Sequence, residues 1–572
     1  MTTQRALFRG ILPTFACLAL LLAAAPASGQ AGTVLSHQKI SDTAGGLVSP
    51  LSSTDRFGWS TAGIGDLDND GVEDMAVGAF LDDDGGFDRG AVYILFLNSN
   101  GTVKAEQKIS DSAGGFTGTL SDEDRFGWSV AGIGDLNGDT IEDIAVGELY
   151  DDDSNDNAGA LWILFLNMDG TVQAHQKINT FNGGFSEPLP QDQWFGSSVT
   201  EIGDFDGDTV TDLLVGAFGD SENGIFRGCV YLLLMNSNGT VKGDQKINET
   251  NGGFTGGLAD GDEFGWAVAN VGDLDGNGTD DAAVSANLND GLGTDHGAVW
   301  ILFLDPIALV VDSATKIDDT GGGFSGTLDD RDNFGRHLAA LGDFDGDGNG
   351  DLVVGAAWDD GADADPDDKF GAVYVLFLNA DGTVKSDVRI ANGEGGFTGV
   401  LDVGDEMGQG LAVLGDLDGD GVVEIAAGAS KDDDGLMDAG AVWVMFLDGG
   451  GPWSDLGNAL PGTNGTATLT GSGPMIAAVN VSIDLTNALG STLCVMFIGL
   501  TQIDAPFKGG VLVPSTTFDL GFFSNPSGDI PLTAAWPGGV PSGASFYFQY
   551  WWADAGGPVG FSASNAIKGT TP

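Results

Sequence analysis

A nine-residue acidic loop occurs six times along the chain, and its residue types are those of an oxygen cage. The first copy runs Asp66-Leu67-Asp68-Asn69-Asp70-Gly71-Val72-Glu73-Asp74. Side-chain oxygens at positions 1, 3, 5 and 9, with a backbone carbonyl at position 7, suit a hard cation taking six to eight oxygen ligands, and calcium is the expected ion. The expected ligands in loop one are therefore Asp66, Asp68, Asp70, Val72 (through its carbonyl) and Asp74. Loop two offers Asp135, Asn137, Asp139, Ile141 and Asp143, and loop three Asp204, Asp206, Asp208, Val210 and Asp212. Loop four offers Asp273, Asp275, Asn277, Thr279 and Asp281, and loop five Asp343, Asp345, Asp347, Asn349 and Asp351. Loop six offers Asp416, Asp418, Asp420, Val422 and Glu424, so up to six calcium ions are expected. An EF-hand is excluded, because the bidentate Glu at position 12 and the flanking helices are missing.

The loops are not equivalent. Position 6 requires a sharp turn that Gly71, Gly278, Gly348 and Gly421 accept freely. Thr140 and Thr209 stand there in loops two and three, where a β-branched residue is strained and a different turn or weaker binding is expected. Asn137 and Asn277 each replace a carboxylate. Loop two carries both defects and is predicted to be the weakest site.

Such loops need rigid elements to position them, and the loop starts, 69, 69, 69, 70 and 73 residues apart, imply an array of identical units. Each unit opens on a Phe-Gly pair (57, 126, 195, 264 and 334, with Met407-Gly408 in the sixth) and a short apolar segment. The acidic loop follows, then a run such as Asp74-Met75-Ala76-Val77-Gly78-Ala79, a variable acidic stretch, a long apolar run such as residues 90–97, and an Asn/Gly turn. A polar segment ending in Gln107-Lys108-Ile109 completes the unit. These segments are short, β-branched or aromatic and bounded by glycine, which predicts four strands per unit and excludes helices. Four-stranded units repeated radially build a β-propeller. A lone fourth strand at 34–40 precedes the first unit, and none follows 440–447, so the N-terminal strand is expected to complete the last of six blades and remove the exposed sheet edge.

The Phe-Gly opening, the Asp-x-Asp-x-Asp-Gly-x-x-Asp loop and the Val-Gly-Ala strand resemble the FG-GAP repeat of integrin α-subunit propellers and their bacterial relatives, over roughly residues 34–448. The resemblance implies a calcium-binding propeller with its metal loops between first and second strands on one face, and ligand engagement on the opposite face. Two loop sets lie on that opposite face. Acidic runs such as Asp82-Asp83-Asp84, Asp151-Asp152-Asp153 and Asp432-Asp433-Asp434 join second and third strands. They are read as solvated surface, with a calcium-bridged contact to sugar hydroxyls or an acidic polymer as the alternative. Gly-Gly-Phe elements (114–116, 183–185, 252–254, 322–324 and 395–397) join the units and are read as pins between neighbours, with ligand contact again the alternative.

Composition narrows the partners. The chain has 572 residues, 84 acidic and 21 basic, for a net charge of −63, which argues against nucleic acid and anionic membrane surfaces. With 42% hydrophobic residues, including 33 Phe and 12 Trp, a core is well supplied and disorder is not the reading. Arg5 and Arg9 precede an apolar run at 11–25 and the small residues Ala25-Pro26-Ala27, so residues 1–30 are read as a secretory signal. No other apolar stretch is long enough to span a membrane, and export to the cell surface or the outside is expected. Of three cysteines, Cys17 leaves with the signal, while Cys229 and Cys494 fall in different domains, which is no disulfide framework.

The expected organisation is thus a signal at 1–30, a propeller at 31–450 and a C-terminal module at 451–572. In the last, acid runs vanish and alternating segments such as 477–483, 493–497 and 546–552 suggest a small β-sandwich. Its aromatic strand is read as core, with a sugar platform as the alternative. His37, His175, His296 and His337 lie at no metal or triad spacing, and no nucleophile motif is present. The expectation is a non-enzymatic calcium-binding module for adhesion to an extracellular protein or polysaccharide. The alternatives are a polysaccharide-active enzyme using a pair of the many propeller carboxylates, or a structural surface component.

Overall fold

The computed structural model describes residues 31–571 apart from 306–308, 362–367, 420, 450–452, 457, 473–474, 476–479, 538–539 and 541–543. The expected signal segment and Asp420 of loop six lie outside the described residues. Among these, regular structure is β throughout, with one 3₁₀ turn at Pro558–Gly560. The chain divides into two compact units, Gly32–Leu447 and Asp448–Pro572.

In the larger unit, β1 (Val34–Ser41) is followed by β2 (Ser60–Gly63), β3 (Met75–Ala79), β4 (Ala91–Leu97) and β5 (Val103–Ile109), of which β2 to β5 form one antiparallel meander. Four further meanders repeat this order, ending at Val384–Ile390. The sixth sheet joins the ends of the unit: Met407–Val413, Ile425–Ala429 and Ala441–Leu447 are completed by β1, with His37 opposite Met445 and Ile40 opposite Val442. These all-β, four-stranded sheets are those of a β-propeller.

Burial explains the patterns. Every residue of β4 is buried, because a third strand is covered by a neighbouring sheet on each face; its sequence, Ala-Val-Tyr-Ile-Leu-Phe-Leu, is accordingly apolar without alternation. The outer strand β5 buries only its two ends, Val103 and Ile109. Parallel single-pair bridges join successive sheets at Gly90–Phe126, Gly159–Phe195, Gly228–Phe264, Gly297–Phe334 and Gly371–Met407, and Phe57–Gly440 joins the last sheet to the first. The Phe-Gly pair is therefore the inter-sheet seam. Phe57, Phe126, Phe195, Phe264 and Phe334 are fully buried there, each removing enough apolar area for about 2–3 kcal/mol. The glycine of Val-Gly-Ala is equally constrained: a Cβ on Gly78 would lie 2.1 Å from the Gly127 carbonyl oxygen of the next sheet.

The Gly-Gly-Phe elements act as pins. Phe116 stacks on Phe126 (5.2 Å between centroids) and Phe254 on Phe264 (4.5 Å). The carbonyl of the first glycine accepts the amide that starts the next outer strand, as in Val172 N to Gly114 O and Val34 N to Gly395 O. His37 and His175 pack beside these phenylalanines against Trp443 and Trp162.

The smaller unit has two main sheets. One orders Trp453–Asp455, Ile567–Thr570, Ser545–Ala553, Leu493–Gly499 and Phe518–Phe523, with Phe561–Ala563 also on Ser545–Ala553; the other orders Thr468–Ser472, Asn480–Thr486 and Ile530–Ala535. Both contribute to one core, in which Phe546, Phe548 and Tyr550 are buried with Leu469, Ile483 and Met496. Trp551, on the opposite side of that strand, is buried as well, while Tyr547 is half-buried, so most of the aromatic run packs inside. Cys229 and Cys494 are free and buried.

Candidate metal centre

Each acidic loop joins the first and second strands of its sheet, and its own backbone holds the first carboxylate in place. Asp66 accepts the amides of Asp70 (2.8 Å) and Gly71 (2.8 Å), one on each oxygen. Asp135, Asp204 and Asp273 accept the corresponding pair, from Asp139 and Thr140, Asp208 and Thr209, and Asn277 and Gly278. The position 6 residue is left-handed throughout: Gly71 has φ 92°, Thr140 φ 72° and Thr209 φ 74°. Loops two and three thus turn as the others do, contrary to a different turn; the threonines accept the strain because the first carboxylate holds their amides.

Four loops bring carboxylate oxygens together at cation scale. The oxygens of Asp66, Asp68 and Asp70 lie within 4.8 Å of one another, as do those of Asp204, Asp206 and Asp212, of Asp273, Asp275 and Asp281, and of Asp343, Asp345 and Asp347. Two oxygens on opposite sides of a calcium ion, each at about 2.4 Å, are about 4.8 Å apart, so the donor chemistry and spread fit the ion. Among the described residues, loop two forms no such triplet: Asn137 instead donates its side-chain N–H to Asp139 (3.2 Å). The carbonyls of Val72, Ile141, Val210, Thr279, Asn349 and Val422 occupy position 7, and in loops one to five the position 5 side chain closes the turn by accepting the position 7 amide, as Asp70 accepts from Val72 N (3.0 Å).

The position 9 acid is more than a ligand candidate. Asp74, Asp143, Asp212, Asp281 and Asp351 are fully buried and Glu424 nearly so. One Asp74 oxygen accepts the amide of Leu67 within the loop (3.1 Å), the other the amide of Leu97 at the end of β4 (3.0 Å). Asp143 does the same with Leu136 and Leu166, Asp212 with Phe205 and Met235, Asp281 with Leu274 and Leu304, and Asp351 with Phe344 and Leu378. The residue ties the loop to the third strand. Burial pushes the carboxyls of Asp74, Asp212, Asp281 and Asp351 up to about 6 and that of Asp143 to about 7, against the amides that pull them down.

Three loops also meet a lysine from the outer strand. Lys104 Nζ lies 3.0 Å from Asp68 and also bonds Asp70; Lys242 lies 2.9 Å from Asp206 and bonds Asp208; Lys385 lies 2.5 Å from Asp345 and bonds Asp347. These ammonium groups hold Asp70, Asp208 and Asp347 below the ordinary carboxylate range.

At the other end of the strands the acidic runs are not simply solvated. Asp82, Asp151, Asp220, Asp359 and Asp432 are buried and paired with Lys108, Lys177, Lys246, Arg389 and Lys39, the basic residue near the end of each outer strand. A second buried acid, two residues before the Phe-Gly seam, joins four of these pairs at Asp55, Asp124, Asp332 and Asp405. Burial raises Asp55, Asp332 and Asp405 to about 7. In loop two's sheet Glu148 replaces the usual alanine, fully buried, and accepts Trp162 Nε1 (2.8 Å) and Lys177 (2.9 Å).

Sequence reasoning missed a ring of residues that follow the seam: Trp59, Trp128, Ser197, Trp266, Arg336 and Gln409. They line one small polar cavity of about 30 Å³, room for a water molecule. The Arg336 guanidinium lies 4.1 Å from the Trp266 ring centre and 5.3 Å from that of Trp59, and donates from Nε to Gln409 (3.2 Å). The signal was available as a column of the repeat alignment, but only the sheet arrangement shows that the column converges.

A family profile described as FG-GAP repeat matches residues 126–164 and 334–376. Integrin alpha-2 of Mus musculus is 35% identical over 158 residues, which are 27% of this chain and 12% of that protein. Integrin alpha-PS2 of Drosophila melanogaster is 32% identical over 176 residues (30% and 12%), and integrin alpha-8 of Mus musculus 32% identical over 203 residues (32% and 18%). The chain therefore spans less than a fifth of the length of these relatives. Among solved structures, rhamnogalacturonan lyase YesW covers 91% of each chain at 14% identity, with a TM-score of 0.26 that establishes no common fold.

Proposed function

We propose that this chain, with FG-GAP repeats similar to those of integrin alpha subunits, is a six-bladed calcium-loaded propeller serving as a ligand-binding adhesion module outside the cell. Calcium would be held by the first, third and fifth residues of each loop, the carbonyl of the seventh and the acid at the ninth. Bound there, it would neutralise the loop carboxylates and stiffen the loop on the rigid sheet beneath. The observation that carries the calcium reading is a cation-scale oxygen triplet in each of four loops on equivalent strands, formed by positions 1, 3 and 5 in loops one and five and by positions 1, 3 and 9 in loops three and four.

The face opposite the metal loops is the proposed contact surface. Phe87 (57% exposed), Ile225 (64%) and Met437 (63%) occupy one position of the second-to-third strand loops, three residues before the glycine that meets the seam. Exposed large apolar side chains beside acidic ones are the composition of an interaction surface, and a protein or polysaccharide partner fits it. The module is read as a binder without catalysis of its own.

The test passes the full chain without residues 1–30 over immobilised extracellular proteins and polysaccharides, in calcium and in chelator, while new reducing ends are measured. Calcium-dependent retention without new ends is expected. New reducing ends would make the chain a polysaccharide-active enzyme, and no retention on any surface would leave a structural role.

A further inference from the structure

The three lysines over the metal loops are not scattered. The residue following the valine that pairs with the last leucine or methionine of each third strand is Lys104, Gln173, Lys242, Asp312, Lys385 and, in β1, Leu35. Lysine thus stands over loops one, three and five. Those loops carry carboxylates at all four positions 1, 3, 5 and 9, whereas loops two and four carry three, with Asn137 and Asn277 in place of the fourth; loop six departs from this rule, with four acids at those positions and Leu35 at the register of the lysine. Four carboxylates less one ammonium give a net −3, the same as the three carboxylates of loops two and four.

In loops one, three and five the contacts match this charge balance. In each case the ammonium bridges the position 3 and position 5 carboxylates, two of the oxygens a cation in the loop would use. Lysine is suited to this role, being a compact charge on a flexible stem that can be displaced without unfolding the strand that bears it. Its ammonium offers donors to oxygens that otherwise repel one another at this range.

We propose that Lys104, Lys242 and Lys385 are built-in counter-cations: each closes its loop in the absence of metal and must swing away when a divalent ion enters. The loops then fall into two classes, a lysine-guarded class (one, three and five) and an open class that includes loop four. Guarded loops keep their shape in chelator and bind calcium more weakly than their four carboxylates alone would allow. This rests on the calcium reading above and concerns how that ion is admitted.

The experiment compares the full chain without residues 1–30 with its K104Q/K242Q/K385Q and K104R/K242R/K385R variants. Calorimetric calcium titration counts sites and affinities, and thermal unfolding is followed in chelator and in calcium. Removing one positive charge a few ångströms from a divalent ion is expected to tighten three sites by about tenfold each. In chelator the Gln variant is expected to melt roughly 2–5 °C lower, and in calcium to regain that loss. The Arg variant, which keeps the charge, should track the parent. Unchanged or weaker calcium affinity in the Gln variant, with the parent binding normally, overturns the guard. No calcium uptake by any form removes the calcium reading itself, and the guard with it. Should the triple Gln variant fail to fold in chelator yet fold in calcium, the guard is supported. Should it fold in neither, K104Q alone decides the matter through the tightening of one site.

Discussion

Asp74 accepts the backbone amide of Leu97 at 3.0 Å, and this bond joins the acidic loop to the end of the third strand. With its other oxygen on Leu67 N, the carboxylate satisfies two amides with no access to water. An acid at position 9 is therefore required by the fold before any ion arrives. Replacing Asp74 by Ala should cost about 2–5 kcal/mol in chelator, since two buried donors lose their acceptor. Asp70→Ala, at an exposed position, should cost well under half of that. Urea unfolding of both variants in chelator measures the difference; equal costs would show that position 9 acts only as a ligand.

Loop two should be the weakest calcium site. It lacks a carboxylate at Asn137, whose amide already donates to Asp139, and it keeps Thr140 at φ 72°. Asn137→Asp should add or strengthen one site, and Thr140→Gly should stabilise the protein modestly, by about 1 kcal/mol, by relieving the left-handed threonine. Calcium titration and melting of the two single variants separate ligand charge from backbone strain.

The propeller closes through β1, whose residues pair with Ala441–Leu447 from Val34 opposite Leu447 to Ser41 opposite Ala441. Deleting residues 31–41 removes the outer strand of the last sheet and leaves Trp443 and Phe446 without their cover. Loss of cooperative unfolding and self-association are expected, because the freed strand edge is long and apolar. Size-exclusion chromatography with circular dichroism checks this, and a monomer that unfolds like the parent would refute closure by β1.

The buried acids before the seams make stability depend on pH in a stated direction. Asp55, Asp332 and Asp405 rise from the ordinary 3.8 to about 7 on folding, chiefly through burial. Their folded state binds more protons than the unfolded chain between those values, so the stability they contribute is present at low pH and lost as pH rises from about 4 to about 7. Melting temperatures in chelator should fall across that window, and the D55N/D332N/D405N variant should flatten the slope. A slope unchanged in the variant would assign the dependence to other groups.

Phe116 should behave as a pin and not as a contact residue. It is buried against Phe126 and Trp162, so Phe116→Ala should cost about 3–5 kcal/mol and leave retention on a bound partner unchanged at temperatures where the variant is folded. Phe87→Ala, at a 57% exposed site, should do the reverse.

Much of this architecture follows from local sequence. The 69-residue period, the apolar third strands and the acidic loops are properties of short segments: strand alternation, turn residues and ligand spacing act within a dozen residues. Even the closing strand could be inferred, because counting strands per unit leaves 34–40 over at one end and a gap at the other. The donor chemistry of Asp66, Asp68 and Asp70 needed only their types and spacing.

What depended on partners far apart in the chain was decided by tertiary structure. Lys104 lies 34 residues beyond Asp70, and nothing in either segment announces that strand register will set one over the other. The burial of Asp82 against Lys108, read from sequence as solvated acid, follows from the outer strand returning to that end of the sheet. Arg336 meets Trp59 and Trp266 only because the seams converge. Charge and hydrogen-bonding capacity are written in single residues, but which charge faces which is fixed by register and by the packing of one sheet on the next.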